Sequence, residues 1–515
     1  MPTALVLPEL RPWVWPFLTD YQRQGIVKAI ARSNLNFWWA CGAGKTLSAL
    51  VWAIAVRGPV VVITKAAARR QWANEVRRFT TVDPHVILPV GSQRAGYEDL
   101  GAYLKRIRAN KQRALVLVAW DALRDDETYL NLCALVDPTD AGGGSGSIVA
   151  DEIHNAKDHR RFTPLPQQDG SMQFEERKTA AARGSFLMRT AKRRLGLTAT
   201  PMPDRPRDLW AQLDAVDPGC MGKYWDYAVQ FCNAHRGAYG MVDDGASNAV
   251  LLRETVAPRV HIVRSEAVYK LLPPVRRMTT ILSADMLGMA SAASSREVKR
   301  AAKEAHGGTG TEGGEAAGNL LEARLMETAS MKKRHVVEHA AELLRAKQKV
   351  LIFTARRRDV ASIEKALRRK TAKMQGLALW AADGGTPAEE REGIREEYMA
   401  HPGPACIVGT GAAWGESLNL HDTDRLVVVL LPWTWGQIRQ WEGRVRRLGM
   451  QRSCIIEYLI AEGTIDERIA NIVLGKLAAV EAILPDEQLQ GVRETVQGGT
   501  DEEVIDGLLD RLLED

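Results

Sequence analysis

Cysteine is scarce in this chain and scattered. The six residues (Cys41, Cys133, Cys220, Cys232, Cys406, Cys454) form no C-x-x-C pair. The sequence therefore offers neither a zinc site nor a disulfide framework, and it fits a reducing compartment. No run is long and apolar enough to span a bilayer. Residues 1–11 lack the basic segment leading into an apolar run that marks a secretory leader. No internal repeat is visible.

What is present points to a large globular chain. Its 515 residues have room for two to four domains, and 45% apolar with 26% charged residues suffices for substantial cores. The net charge is +6, but residues 499–515 hold seven acidic residues against one basic, so the body of the chain is more basic than the total. A basic body suits a polyanion such as nucleic acid.

Short apolar runs alternate with helical patterns. In the first part strands are expected at 35–39, 60–64, 114–120, 148–150 and 194–198, with helices such as 46–56 and 67–79 between them. The runs are continuous rather than alternating, which marks strands buried on both faces of a parallel sheet. A second set is expected at 350–354, 377–381, 406–409, 425–431 and 454–459. This is an α/β plan stated twice. Between the halves, residues 205–332 read as mostly helical, with a mobile Gly-rich loop at 301–318. Residues 158–170 read as an irregular insertion.

Four motifs carry chemistry. Gly42-Ala43-Gly44-Lys45-Thr46 stands between a strand and a helix. Its glycines allow a tight turn whose N–H groups face a phosphate chain; Lys45 would reach the β- and γ-phosphates and Thr46 would hold Mg²⁺. The helix start adds its dipole. Trp39 stands where a strict P-loop has its first glycine. Asp151-Glu152-Ile153-His154 follows a buried strand. Alone, that acidic pair reads as a solvated strand end, but its spacing after the P-loop gives it a division of labour: Asp151 on the metal, Glu152 polarising the attacking water. Leu197-Thr198-Ala199-Thr200-Pro201 ends a strand in small hydroxyl residues that suit a relay. Gln440-x-x-Gly443-Arg444-x-x-Arg447 places Gln440, Arg444 and Arg447 on one helix face, where guanidinium forks suit a transferring phosphoryl group.

These motifs together resemble superfamily 2 helicases, and more narrowly the SNF2-type DNA-translocating ATPases, over most of residues 18–484. Tyr21-Gln22 resembles the family's adenine-reading motif, and Val62-Ile63-Thr64-Lys65 with Trp72 and Phe79 a motif that contacts nucleic acid. Asp151 to His154 reads DEIH where the family has DEAH. Asp383-Gly384-Gly385-Thr386, residues 413–420 and Thr464-Ile465-Asp466-Glu467 resemble later motifs, and residues 231–274 resemble the annealing-helicase branch. Trp414, Glu416 and Ser417 depart from the small or apolar residues usual in the fifth motif.

The resemblance implies two RecA-like parallel-sheet lobes with a helical insertion. Lobe 1 would span 1–204, the insertion 205–332, and lobe 2 with a brace helix 333–484. An acidic tail with a helical apolar stripe would occupy 485–515. It implies ATP and Mg²⁺ as cofactors, with Gln22, Gly42, Ala43, Gly44, Lys45 and Thr46 on the nucleotide, Thr46 and Asp151 on the metal, and Lys45, Asp151, Glu152, Gln440, Arg444 and Arg447 in catalysis. Duplex or forked DNA is the implied partner, contacted without regard to sequence through Thr64, Lys65, Arg69, Thr198, Thr354 and Thr410. Replication, repair or transcription proteins would be further partners. The expected reaction is nucleic-acid-dependent ATP hydrolysis. Strand separation on DNA or RNA is the alternative, and an ATP-switched recruitment module is a third reading. The Ala- and Arg-rich composition suits the cytoplasm of a bacterial or phage-infected cell.

Overall fold

The computed structural model describes residues 7–66, 68–87, 98–110, 112–136, 146–156, 162–166, 172–176, 178–202, 205–237, 240–264, 267–268, 270, 272–283, 286–287, 311–414, 419–446 and 450–473. Arg447, Glu416, Ser417, residues 301–310 and the acidic tail lie outside them. The chain divides into two units, residues 1–268 with 482–485, and 269–481 with 486–515. No helix among the described residues is long and apolar enough to cross a membrane.

The strands in chain order are β1 Asn34–Trp39, β2 Val60–Thr64, β3 His85–Val86, β4 Leu115–Ala119, β5 Ser147–Asp151, β6 Phe162–Pro166, β7 Met172–Glu176, β8 Arg193–Thr198, β9 His235–Gly237, β10 Gly240–Val242 and β11 Val260–Val263 in the first unit. The second unit has β12 Val275–Leu282, β13 Lys349–Thr354, β14 Ala378–Ala382, β15 Ala405–Thr410, β16 Arg425–Val428 and β17 Cys454–Ala461.

The main sheet of the first unit runs β11-β1-β8-β5-β2-β4-β3, and every pairing is parallel. That of the second runs β12-β17-β16-β13-β15-β14, again all parallel. Strands β2, β4, β13 and β15 are buried at every position, as their unbroken apolar runs require. All ten strands expected from the sequence are present, with ends within three residues of expectation.

Helices cover these sheets through buried stripes. In the helix Ala68–Phe79 the residues Ala68, Trp72, Val76 and Phe79 face inward while its arginines face out. Close packing fixes two glycines. A Cβ on Gly196 would lie 2.1 Å from Asn36 Oδ1, and one on Gly411 would lie 1.9 Å from the Trp441 ring. Trp414, a departure from the family pattern, is wholly buried in the second core and donates Nε1–H to the Ala382 carbonyl at 3.2 Å. The missing side chain of Gly409 makes room for it.

Two expectations need correction, for residues 158–170 and 311–318, and the region 205–332 gains detail. Residues 158–170 are not simply irregular, since β6 lies within them and pairs antiparallel with β7. The region 205–332 holds strands as well as helices: β11 adds to the sheet of the first unit beside β1, and β12 to that of the second beside β17. Both strands are half-exposed, so they lack the continuous apolar run that betrays a central strand. Residues 311–318 are not loop but the first turns of the helix Thr311–Arg345. Three glycines there cost about 1 kcal/mol each against alanine, and the packed later turns of the same helix carry them.

Candidate active site

Four adjacent strands of the first sheet, β1, β8, β5 and β2, end in the motifs identified above. In open parallel sheets the C-terminal strand edge is where ligands bind. The turn after β1 is built by Gly42 and Gly44, with φ of 79° and 77°. Such angles favour glycine. A Cβ on Gly44 would also lie 2.2 Å from Gln22 Nε2. The helix Lys45–Ala55 starts there, and Lys45 Nζ donates to the carbonyls of Trp39 at 3.0 Å and Ala40 at 3.3 Å. The ammonium is thereby held over the strand end.

Gln22, expected to read adenine, is buried and bonded at both ends of its amide. Its Nε2 donates to the Ala43 carbonyl at 3.1 Å, and its Oε1 accepts the Thr19 N–H at 2.8 Å. Tyr21 Oη donates to the same Ala43 carbonyl. In this arrangement Gln22 braces the phosphate loop and caps its own helix. Behind the loop, Trp39 stacks on Phe37 with ring centroids 4.4 Å apart and donates Nε1–H to His261 Nδ1 at 3.0 Å.

At the end of β5, Asp151 Oδ2 accepts two hydrogen bonds of 2.9 Å, from Thr64 Oγ1 and Trp72 Nε1. Burial and the neighbouring Glu152 push its carboxyl pKa up, while Trp72, Thr64 and the Lys45 charge oppose that. Both donors fall on Oδ2, which leaves Oδ1 as an acceptor for a cation. A carboxylate and the Thr46 hydroxyl are the hard oxygen donors that Mg²⁺ prefers, so the residues present fit that ion. Trp120 fixes the backbone by donating to the Asp151 carbonyl at 2.9 Å.

Glu152 has φ 53°, left-handed for a residue with a side chain, a strain of about 1–3 kcal/mol that gathers at functional sites. Asn155 holds it with two bonds to the Glu152 carbonyl, 2.9 Å from its backbone N and 2.8 Å from Nδ2. Glu152 Oε2 lies 3.3 Å from His154 Nδ1, and that nitrogen is 3.0 Å from Thr198 Oγ1. Thr198 Oγ1 in turn accepts the Thr200 N–H at 3.0 Å. The acidic motif and the hydroxyl motif are thus one hydrogen-bonded chain.

In the second unit the helix Trp435–Val445 is capped by Thr434, whose hydroxyl accepts the Gln437 N–H. Arg444 is 7% exposed, with Nε donating to the Gln440 carbonyl at 3.1 Å. Glu442, two residues before it in the same motif segment, is buried and takes two 2.6 Å bonds from Arg277 on β12 and one of 2.6 Å from Tyr458 on β17. Burial pushes the Glu442 pKa up, but the charge and hydrogen bonds of Arg277, the Arg439 charge and the Tyr458 hydroxyl together outweigh it, and the net shift is downward. Sequence reasoning missed this anchor because β12, half-exposed along its length, was not recognised.

The threonines expected at nucleic acid all stand at buried strand ends. Thr64, Thr198 and Thr354 are wholly buried and Thr410 nearly so. Their hydroxyls face inward: Thr64 to Asp151, Thr198 to His154, Thr354 to Asp359 and Thr410 to the Ala413 N–H. A strand-end threonine in these sheets orders the site from within. Lys65 and Arg69 are partly exposed.

Residues 17–203 match the family model described as type III restriction enzyme, res subunit, and residues 332–449 match the helicase conserved C-terminal domain. Two helicase-type domain models thus account for residues 17–203 and 332–449, and the relatives that match along the chain are of SNF2 type. It is 25% identical, over 89% of its length, to the SWI/SNF-related matrix-associated actin-dependent regulator of chromatin subfamily A-like protein 1 of Xenopus tropicalis. It is 24% identical, over 96% of its length, to the DNA annealing helicase and endonuclease ZRANB3 of Mus musculus. The chain spans 44% and 42% of those two relatives. A solved SWI2/SNF2 ATPase core of Sulfolobus solfataricus in complex with dsDNA is 18% identical, with a TM-score of 0.38 over 96% of this chain and 99% of that one.

Proposed function

We propose that the chain is an ATP-dependent DNA translocase of SNF2 type, coupling hydrolysis to movement on double-stranded or branched DNA. The observation that supports it most is the gathering of Lys45, Asp151, Glu152 and Thr198 at the C-terminal ends of the neighbouring strands β1, β5 and β8, with Thr198 hydrogen-bonded into the acidic motif. A nucleotide site joined to a relay suits an ATPase that answers to a polymer. The names of the relatives support DNA as that polymer.

In this reading the backbone N–H groups of residues 42–46 and the Lys45 ammonium hold the phosphates of ATP. Thr46 and Asp151 hold Mg²⁺, which when bound neutralises phosphate charge. Glu152 takes a proton from the attacking water. Arg444 and Arg447 supply the positive charge that stabilises the transferring phosphoryl group in the closed state, and the Gln440 amide offers a neutral hydrogen-bond donor beside them. Lys65 and Arg69 contact backbone phosphates, so binding is independent of sequence and sensitive to salt.

Steady-state ATP hydrolysis by wild type and Lys45→Ala tests the reading, with no nucleic acid, single-stranded DNA, duplex DNA, forked DNA and RNA. Strong stimulation by duplex or forked DNA that Lys45→Ala abolishes is the expected result. Stimulation by RNA or single strands alone would replace translocation with strand separation, and no stimulation would leave a switch.

A further inference from the structure

The helix Ala68–Phe79 ends in Arg77-Arg78-Phe79, and an N-terminal segment is laid against that end. Arg11 N donates to the Phe79 carbonyl at 2.9 Å, a guanidinium nitrogen of Arg11 donates to the Arg77 carbonyl at 3.3 Å, and Leu10 bridges Thr80. The Trp13 ring lies 5.5 Å from that of Phe79, and the Phe17 ring stands edge-on to Trp13 at 6.1 Å. The Arg78 guanidinium sits 5.2 Å above the Phe79 ring.

Phe79 is buried, but Trp13 is 46% and Phe17 66% exposed. Arg11, Arg77 and Arg78 are exposed too, and among the described residues none of them is paired with a carboxylate. Isolated exposed rings are ordinary on a protein surface. Two touching rings beside three uncompensated guanidiniums form a patch, and such patches mark binding. Glu9, two residues before Arg11, pairs with Arg113 at 3.3 Å immediately before β4. The patch therefore begins at the N-terminal strand edge and shares no residue with the ATP site.

We propose that Arg11, Trp13, Phe17, Arg77 and Arg78 form a second nucleic-acid site, one that takes a single strand. The arginines meet phosphates and the two rings stack on bases. Only an unpaired strand offers its base faces; a duplex hides them. An acidic protein segment would satisfy the arginines but leave the rings without flat partners. The proposal rests on the reading that the chain works on DNA, and it adds a contact for a strand already unpaired.

The test is fluorescence anisotropy, without nucleotide, of a labelled oligothymidine and a blunt duplex of equal length. Wild type, Trp13→Ala/Phe17→Ala and Arg77→Gln/Arg78→Gln are compared at several salt concentrations. The aromatic variant should bind the oligothymidine roughly 10- to 100-fold more weakly, the loss expected for stacked bases, with duplex affinity unchanged. The arginine variant, altered only at exposed positions, should flatten the oligothymidine salt dependence by about 1.4 in log–log slope, two phosphate contacts. Ultraviolet crosslinking of a bromodeoxyuridine strand to wild type should map to the peptide holding Trp13 and Phe17. Unchanged oligothymidine binding, a crosslink elsewhere, equal losses for duplex and single strand, or a polyglutamate peptide competing as well as the oligonucleotide would each overturn the proposal. Duplex-stimulated hydrolysis, measured in parallel, separates this outcome from failure of the translocase reading.

Discussion

The indole Nε1 of Trp72 donates to Oδ2 of Asp151 at 2.9 Å, so a helix carrying exposed arginines is tied to the carboxylate proposed to hold Mg²⁺. Thr64 donates to the same oxygen, and the two fix which way the carboxylate points.

Trp72→Phe keeps the ring in its buried place and removes only the N–H. A hydrogen bond to a charged group contributes about 1.5–3 kcal/mol. The expected result is roughly tenfold more Mg²⁺ needed for half-maximal binding of a fluorescent ATP analogue, with metal-free nucleotide binding unchanged. Trp120→Phe, which loses a bond to the Asp151 backbone rather than the carboxylate, should shift the Mg²⁺ requirement less. Equal shifts in the two variants would show that Trp72 merely packs.

Thr198 joins two motifs through one hydroxyl. Its Oγ1 is 3.0 Å from His154 Nδ1 and accepts the Thr200 N–H at 3.0 Å. Thr198→Val retains the shape and loses both. ATP affinity should stay within about twofold, while stimulation of hydrolysis by DNA falls roughly tenfold, about 1.4 kcal/mol. Unstimulated hydrolysis measured beside it decides the matter: if basal and stimulated rates fall together, Thr198 serves the chemistry and not the coupling.

His261 on β11 accepts the Trp39 N–H behind the phosphate loop. Burial, with the Lys28 charge adding to it, lowers its pKa from 6.5 to about 4. The fold favours the neutral ring, so this contribution to stability is complete above pH 6.5 and is lost as the pH falls toward 4. His261→Gln keeps an acceptor for Trp39 and removes the titration. The wild-type melting temperature should fall more steeply than that of the variant between those pH values; parallel curves would mean that His261 is not responsible.

The sequence made the sheets legible because parallel strands buried on both faces carry their pattern in one dimension. Val60–Thr64 and Lys349–Thr354 could hardly be anything else. The positions of Lys45, Asp151 and Glu152 followed from motif spacing. What spacing does not encode is the direction of a side chain. Thr64, Thr198, Thr354 and Thr410 stand at strand ends, where a hydroxyl can turn outward or inward, and inward is what the neighbouring Asp151, His154 and Asp359 select. Trp72 was visible as the buried position of a helical stripe, but its partner lies 79 residues away. Edge strands β11 and β12 escaped because half-exposed strands share their composition with loops.

Lys332 supplies the last prediction. It is wholly buried in the second unit, as is Asp466, with which it forms an ion pair. Its Nζ also donates to the Val429 carbonyl at 2.5 Å and the Leu459 carbonyl at 2.7 Å. Burial lowers the lysine pKa and Asp466 opposes it. The ammonium thus joins the helix Thr311–Arg345 to the ends of β16 and β17 and to the helical turns that begin at residue 465. Lys332→Met would leave the Asp466 carboxylate buried without its counter-charge, a loss of about 3–5 kcal/mol. Changing both residues, Lys332→Met with Asp466→Leu, removes the stranded charge and should restore most of that stability. Urea titration of the single and double variants distinguishes the cases. A single variant within about 1 kcal/mol of wild type would mean that water or a shifted carboxylate compensates the charge; a double variant no better than the single would mean that the two backbone carbonyls, not the carboxylate, are what the ammonium chiefly satisfies.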